Sequence, residues 1–253
     1  MLPVSVATLI LALATPAGAA PPPITWGSAT NISGDSDVST SGTLMYAYNI
    51  GGAGVSSATV NTVTFASYAF PAFGANTASV TVGNLTFSES PGRLWGNNSL
   101  GTGSGTYSTL SAGYQSLLGS GGGSDNPATI TVTLGGLTIG TQYQLQVWSS
   151  NPSNGNLPGT FLAIQDTILS TSLSNQVTLD INVGNSAGSL GQYVLGTFTA
   201  VGTSQAFKID SVGYASPLIS AIQLRDLTPI PGPGGAALAA IIGAMLPAGR
   251  RRR

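Results

Sequence analysis

Cysteine and histidine are both missing from the 253 residues of this chain. Without them there is no thiolate or imidazole to serve as nucleophile, base or soft metal ligand. Ser-His-Asp and Cys-His systems, His-based zinc sites and iron–sulfur sites are therefore excluded. No disulfide staples the chain, so its stability must come from burial, which a domain spanning residues 20–228 is long enough to supply. Charge is almost as scarce, at 6% of residues against about 25% in an ordinary globular protein. Four of the seven basic residues are Arg250, Arg251, Arg252 and Arg253, which leaves Arg93, Lys208 and Arg225 against eight carboxylates, a net of −5 for the rest. A domain with three scattered cations has no patch on which to gather phosphates, so nucleic acid is not a partner.

What replaces charge is Ser, Thr, Asn, Gln and 35 glycines, a composition suited to many short strands joined by polar turns. Apolar and polar residues alternate with period two over Thr43–Asn49, Thr59–Phe65, Ser79–Val82, Thr129–Leu134, Gln142–Trp148, Gln176–Asn182, Gln192–Phe198, Ala206–Asp210 and Leu218–Leu224, each read as a strand. One segment has helical spacing instead. Leu110, Tyr114, Leu117 and Leu118 make a single stripe, with Ser108 placed to cap it and Gly119 to end it. Gly121-Gly122-Gly123-Ser124 precedes a strand and lacks the Lys-Ser/Thr of a phosphate loop, so it reads as a flexible linker.

Both ends of the chain look like processing segments. Val4–Ala14 is an eleven-residue apolar run, too short to span a bilayer but right for the core of a secretion signal, and Ala17 and Ala19 supply the small residues of a cleavage site. At the other end, Pro229, Pro231 and Pro233 precede sixteen uncharged residues, Gly234–Gly249, and then the four arginines. As a helix that run would measure about 24 Å, short for a hydrocarbon core of about 30 Å. The arginines belong on the cytoplasmic side, which leaves the domain outside.

A proline motif, a short apolar segment and a terminal arginine cluster, in that order, resemble the PEP-CTERM tail of exported bacterial proteins. Ile230 or Gly232 stands between the prolines here, where the family has Glu. The resemblance implies recognition and removal of the tail by an exosortase, a membrane-embedded, transpeptidase-like enzyme. The domain itself resembles galactose-binding-like jelly rolls in its Trp26-Gly27, its Asp35-Ser36-Asp37-Val38, the turn and tyrosine of Gly135–Tyr143, and the closing Ile222-Gln223-Leu224. That likeness is one of fold and transmits no function.

Three kinds of chemistry remain to weigh. Asp35 and Asp37, with Ser39, could begin a calcium shell, although an EF-hand would need Glu where Tyr46 stands; the alternative is an Asx turn leading into a strand. A glycoside hydrolase needs two carboxyls about 5–10 Å apart, and Glu89, Asp125, Asp166, Asp180 and Asp210 are scattered along the chain with nothing to pair them. Sugar binding without catalysis needs an aromatic face with amides beside it, as in Trp95, Asn97 and Asn98, or in Trp148 with the Ser/Asn run that follows. The alternative for Trp148 is a half-buried plug at a strand end.

The sequence thus predicts an all-β protein: a signal peptide over 1–19, a two-sheet, jelly-roll-like β-sandwich with one short helix over 20–228, and a sorting tail over 229–253. It is expected to be exported to the cell surface, to be non-catalytic, to need no cofactor beyond the candidate calcium, and to touch the membrane only through its tail. Its expected partners are the sorting transpeptidase and polysaccharide. The rivals are a structural component of an extracellular matrix with no discrete ligand, and a carboxylate-dependent glycosidase. N-terminal sequencing of exported protein should begin at Ala20; a sequence beginning at Met1 would rule out the signal peptide.

Overall fold

A computed structural model of the protein describes residues 24–75, 77–101, 105–125, 128–152, 161–166, 176–183, 189–212 and 216–229. The expected signal peptide, with Ala17 and Ala19, lies outside them, as does the tail beyond Pro229, with Pro231, Pro233 and Arg250–Arg253.

The chain is all-β with one short α-helix among these residues. In order, the elements are β1 (Thr25–Trp26), β2 (Thr30–Asn31), β3 (Thr43–Gly51), β4 (Ala58–Val60), β5 (Val63–Ala69), β6 (Ser79–Val82), β7 (Leu85–Glu89) and β8 (Trp95–Asn97). There follow α1 (Ala112–Leu118), β9 (Gly121–Gly123), β10 (Thr129–Gly135), β11 (Gln142–Ser149), β12 (Phe161–Asp166), β13 (Gln176–Asp180), β14 (Gln192–Thr199), β15 (Ser204–Val212), β16 (Leu218–Ile219) and β17 (Ala221–Asp226). An eight-stranded sheet runs β1-β14-β11-β17-β3-β5-β4, with β2 also on β14; a six-stranded sheet runs β13-β12-β15-β10-β7-β6; β16-β9-β8 form a small third sheet. Pairing is antiparallel throughout except between β3 and β5.

The inward residues of the two large sheets make the main core. Tyr143, Leu145 and Val147 of β11 and Ile222 and Leu224 of β17 face Ile130, Val132 and Leu134 of β10, Phe87 of β7 and Phe207 of β15. This is the alternation the sequence displays, because successive strand residues point to opposite faces. A second core lies on the outer face of the eight-stranded sheet, where Ala47, Phe65 and Trp148 meet Tyr107, Tyr114, Leu117 and Leu118. The helix is thus laid over a sheet that is buried on both sides.

Three local expectations are corrected. The alternating run Thr59–Phe65 is a hairpin, with Val60 opposite Val63, and Asn61 and Thr62 both have positive φ (45° and 65°), as a two-residue turn between twisted strands requires. Gly121–Gly123 is a fully buried strand, because only glycine allows the close approaches there: a Cβ on Gly122 would lie 2.4 Å from the Phe70 ring, and one on Gly123 2.4 Å from the Pro217 carbonyl oxygen. The helix starts later than expected. Thr106–Thr109 form a 3-10 turn, Leu110 is extended, and Ser111 caps α1, accepting a hydrogen bond from Tyr114 N at 3.2 Å. Gly119 ends the helix as expected, its N–H donating to the Gln115 carbonyl.

Thr62 is a β-branched residue in the left-handed region, where glycine is free of steric cost. Thr62→Gly should therefore stabilise the domain by about 0.5–1 kcal/mol, seen as a higher thermal midpoint. A lower midpoint would contradict the hairpin.

Candidate functional site

Strands β8, β9 and β16 crown one end of the sandwich together with α1 and the loop after β5. Trp95 pairs with Gly123 across β8 and β9, and its indole lies against a glycine backbone that a Cβ would crowd at 3.3 Å. Gly96 is held as closely, since a Cβ there would lie 2.3 Å from the Gly51 carbonyl oxygen. The half-buried Trp95 ring therefore has a fixed seat. Phe73 stands beside it, with ring centroids 6.3 Å apart and planes inclined by 60°. Phe73 is 74% exposed, the most exposed large apolar side chain among the described residues. The sequence reading missed it; its signal was an aromatic residue held between Pro71 and Gly74 in a loop.

The two amides expected next to Trp95 are there, and both work for the backbone. Asn98 Oδ1 accepts from Gly52 N at 2.7 Å and its Nδ2 donates to the Ala53 carbonyl at 2.9 Å, stapling the turn after β3. Asn97 Oδ1 accepts from Ser99 N and Ser99 Oγ, an Asx turn. Next to them opens a notch of about 200 Å³, lined by Asn49, Ser56, Asn98, Gln115, Ser116 and Ser120. A second hollow of about 320 Å³ shares Gln115 and Ser116 with it. The lining is amide, hydroxyl and backbone with the Val55 side chain among them, with no titratable group in the first and only the Tyr107 phenol in the second.

Trp148 is not part of this surface. Strand parity does set it on the outer face with Gln144 and Gln146, but that face is covered and the indole is fully buried. Phe65 meets it edge-on at 5.5 Å, and its Nε1 donates to Tyr114 Oη at 3.0 Å. Trp148 is a structural anchor with no face left for a ligand.

Asp35 and Asp37 sit in a 3-10 turn, where both carboxylate oxygens of Asp37 and one of Asp35 accept from the protein. Asp37 Oδ2 accepts from Ser33 N (2.7 Å), Gly34 N (3.0 Å) and Tyr114 Oη (3.1 Å), and Oδ1 from Ser33 Oγ (2.7 Å). Asp35 Oδ1 accepts from Ser111 Oγ, the cap of α1, at 2.6 Å. Burial, and then the Asp37 charge, push the Tyr114 hydroxyl well above the ordinary phenol range, so it stays a donor. Donors converging from a loop and a helix make Asp37 a staple between the two. Among the described residues no group of three or more acidic side chains is placed to hold a metal ion.

Other carboxylates do similar work in turns. Glu89 Oε2 accepts from Gly92 N and Arg93 N, Asp180 Oδ1 from Asn182 N, and Asp226 Oδ1 from Thr228 N.

No protein-family model matches the chain, and no curated protein matches it. Among solved structures, one similar chain comes from a study of the promiscuous specificity of carbohydrate-binding modules from the β-sandwich super family. It is 12% identical, over 62% of this chain and 70% of that one, at a TM-score of 0.13. A superposition of that quality says nothing about ligand or descent.

Removing the Asp37 charge should cost about 2–4 kcal/mol, since several donors lose a charged acceptor in a buried site. Asp37→Asn should lower the thermal midpoint far more than Asp35→Asn, and millimolar calcium should leave the wild-type midpoint unchanged. A calcium-dependent rise lost in Asp37→Asn would instead establish a metal site.

Proposed function

We propose that this chain is exported, held in the membrane by its C-terminal segment until a sorting transpeptidase of the exosortase type removes it, and displayed at the cell surface as a non-catalytic β-sandwich that contacts neutral polysaccharide. The observation that carries the binding part is exposed Phe73 against half-buried Trp95, whose indole lies on the Gly123 backbone, with Asn98, three residues on, lining an uncharged notch. A pyranose presents apolar C–H faces to an aromatic ring and hydroxyls to amides and backbone, and this surface offers both. The notch is smaller than the roughly 300 Å³ of ordinary small-molecule sites, which suits one unit of a longer glycan.

A second reading, a matrix component with no discrete ligand, draws support from Asn98, whose amide is spent at both ends on the chain's own backbone. The glycosidase reading draws least. Glu89, Asp180 and Asp226 accept from nearby backbone N–H groups, which favours a structural role over acid–base work.

Retention on immobilised neutral polysaccharides separates these readings. Phe73→Ala and Trp95→Ala should each weaken binding about tenfold or more, as removal of an aromatic anchor does. Wild-type protein that binds no glycan, or variants that bind like wild type, would overturn the binding role. For the tail, replacing Arg250–Arg253 with Ser should leave export intact and abolish tail removal, whereas mature wild-type protein whose intact mass still includes Arg253 would contradict sorting.

A further inference from the structure

The sandwich has two chemically different ends, and the chain leaves from the one opposite the aromatic pair. Asp226, the last residue of β17, lies opposite both Thr43, the first of β3, and Tyr143, near the start of β11. The turn between β10 and β11 is joined to the one between β14 and β15 through Gly140 N to the Ala200 carbonyl (2.7 Å) and Leu137 N to the Thr203 carbonyl (3.1 Å). Leu227 N donates to the Gln142 carbonyl at the same level. Thus the first residues of β3, the loops 136–141 and 200–203, and the chain exit at 227–229 all share one end.

That end gathers most of the exposed large apolar side chains, set among uncharged hydroxyl residues and glycines. Five large hydrophobic side chains are exposed among the described residues, and four of them lie here: Ile139 (65%), Val201 (41%), Met45 (39%) and Leu44 (37%). The fifth is Phe73, at the other end. Ile139 is held outward by its surroundings: Tyr143 Oη accepts from Thr138 N at 2.8 Å, and Gly140 takes a positive φ of 84°. Charge is nearly absent. Arg225 is buried, its guanidinium donating to the carbonyls of Thr40, Ser41 and Gly42, which leaves Asp226, whose carboxylate accepts from Thr228 N.

The tether is short. Five residues separate Thr228 from Gly234, where the apolar run begins, and the six Cα-to-Cα steps between them reach roughly 20 Å at most. Whenever the apolar run is in a bilayer, the exit end is confined to the membrane surface.

We infer that the exit end, through Ile139, Val201, Leu44 and Met45, rests in the lipid interface while the tail is inserted, so that the domain stands upright. This rests on the membrane-held tail proposed above. The eight residues of β11 then set the Phe73–Trp95 end roughly 25 Å further out, facing away from the lipid. A surface free of exposed cations and carrying few carboxylates loses little hydration on contact, and apolar side chains at the headgroup boundary gain by burial.

The cysteine-free chain makes the test clean. Single variants Ile139→Cys, Ala53→Cys at the far end and Ala240→Cys in the tail would be labelled with an environment-sensitive fluorophore. The full chain would then be reconstituted into phosphatidylethanolamine–phosphatidylglycerol vesicles, with or without acyl-brominated lipid. The expected result is strong quenching at 240, clear quenching with a blue shift at 139, and neither at 53, with the 139 signal several-fold above that at 53. Quenching at 240 with an unquenched, unshifted probe at 139 overturns the inference and leaves the tail reading standing. A blue shift at 139 without bromolipid quenching overturns it in favour of contact with a second copy. An unquenched probe at 240 removes the tail reading, and this inference with it.

Discussion

Polar side chains on the outer face of the eight-stranded sheet are buried, and the segment laid across them takes up most of their hydrogen bonds, leaving Gln223 Oε1 and Arg225 Nη1 without a partner. Gln146 Nε2 donates to the Asp37 carbonyl at 2.6 Å, while its Oε1 accepts from Ser39 N and from Gln223 Nε2. Gln223 Nε2 also reaches the Ser39 carbonyl, and Arg225 donates to three successive carbonyls, those of Thr40, Ser41 and Gly42. A buried amide or guanidinium without partners costs several kcal/mol, so the sheet tolerates these residues only with residues 37–42 in place. Asp37 then fixes that segment to α1 through Tyr114, and Tyr114 to the sheet through Trp148. The second core forms around this chain of bonds. The crown of β8 and β9 borders it: Ser120 Oγ donates to Asn49 Oδ1, tying the residue before β9 to β3.

The main core was legible because it depends on one local rule. Gln142–Val147 alternates cleanly, and Tyr143, Leu145 and Val147 do face the second sheet, as do Val194 and Phe198 of Gln192–Phe198. The same rule misleads on the other face. Alternation says that Gln146, Gln223 and Trp148 point away from the main core, which is true, and it suggests solvent, which is false. What covers the two glutamines is more than a hundred residues away in sequence, and its contacts run through backbone groups that any residue carries, while Trp148 is closed off by the side chains of Tyr114 and Phe65. Leu85–Glu89 and Phe161–Asp166 were missed as strands: the first follows Ser79–Val82 across only the two-residue turn Gly83-Asn84, and the second opens as an apolar run without alternation.

The candidate site was read in part, for a related reason. Trp95, Asn97 and Asn98 were found from composition alone, and the structure brings them to one end. Phe73, twenty-two residues earlier, joins them only because β5 runs parallel to β3 and delivers its following loop to the same end. Asp35 and Asp37 looked like ligands because carboxylates at alternate positions suit a cation. The same geometry suits a turn that gathers N–H and O–H donors, and here those donors come from Ser33, Gly34, Ser111 and Tyr114.

Buried aromatics hold the second core, and exposed Phe73 with half-buried Trp95 is the surface proposed to meet glycan. Only three tryptophans are present, so their indole N–H signals can be followed one by one in a heteronuclear NMR titration of residues 20–228 with neutral glycan fragments. The Trp95 signal should move with saturation while that of Trp148, shut in against Tyr114, stays in place. Saturable movement of Trp148 with Trp95 unmoved, or no movement of any indole with any glycan, would contradict the account.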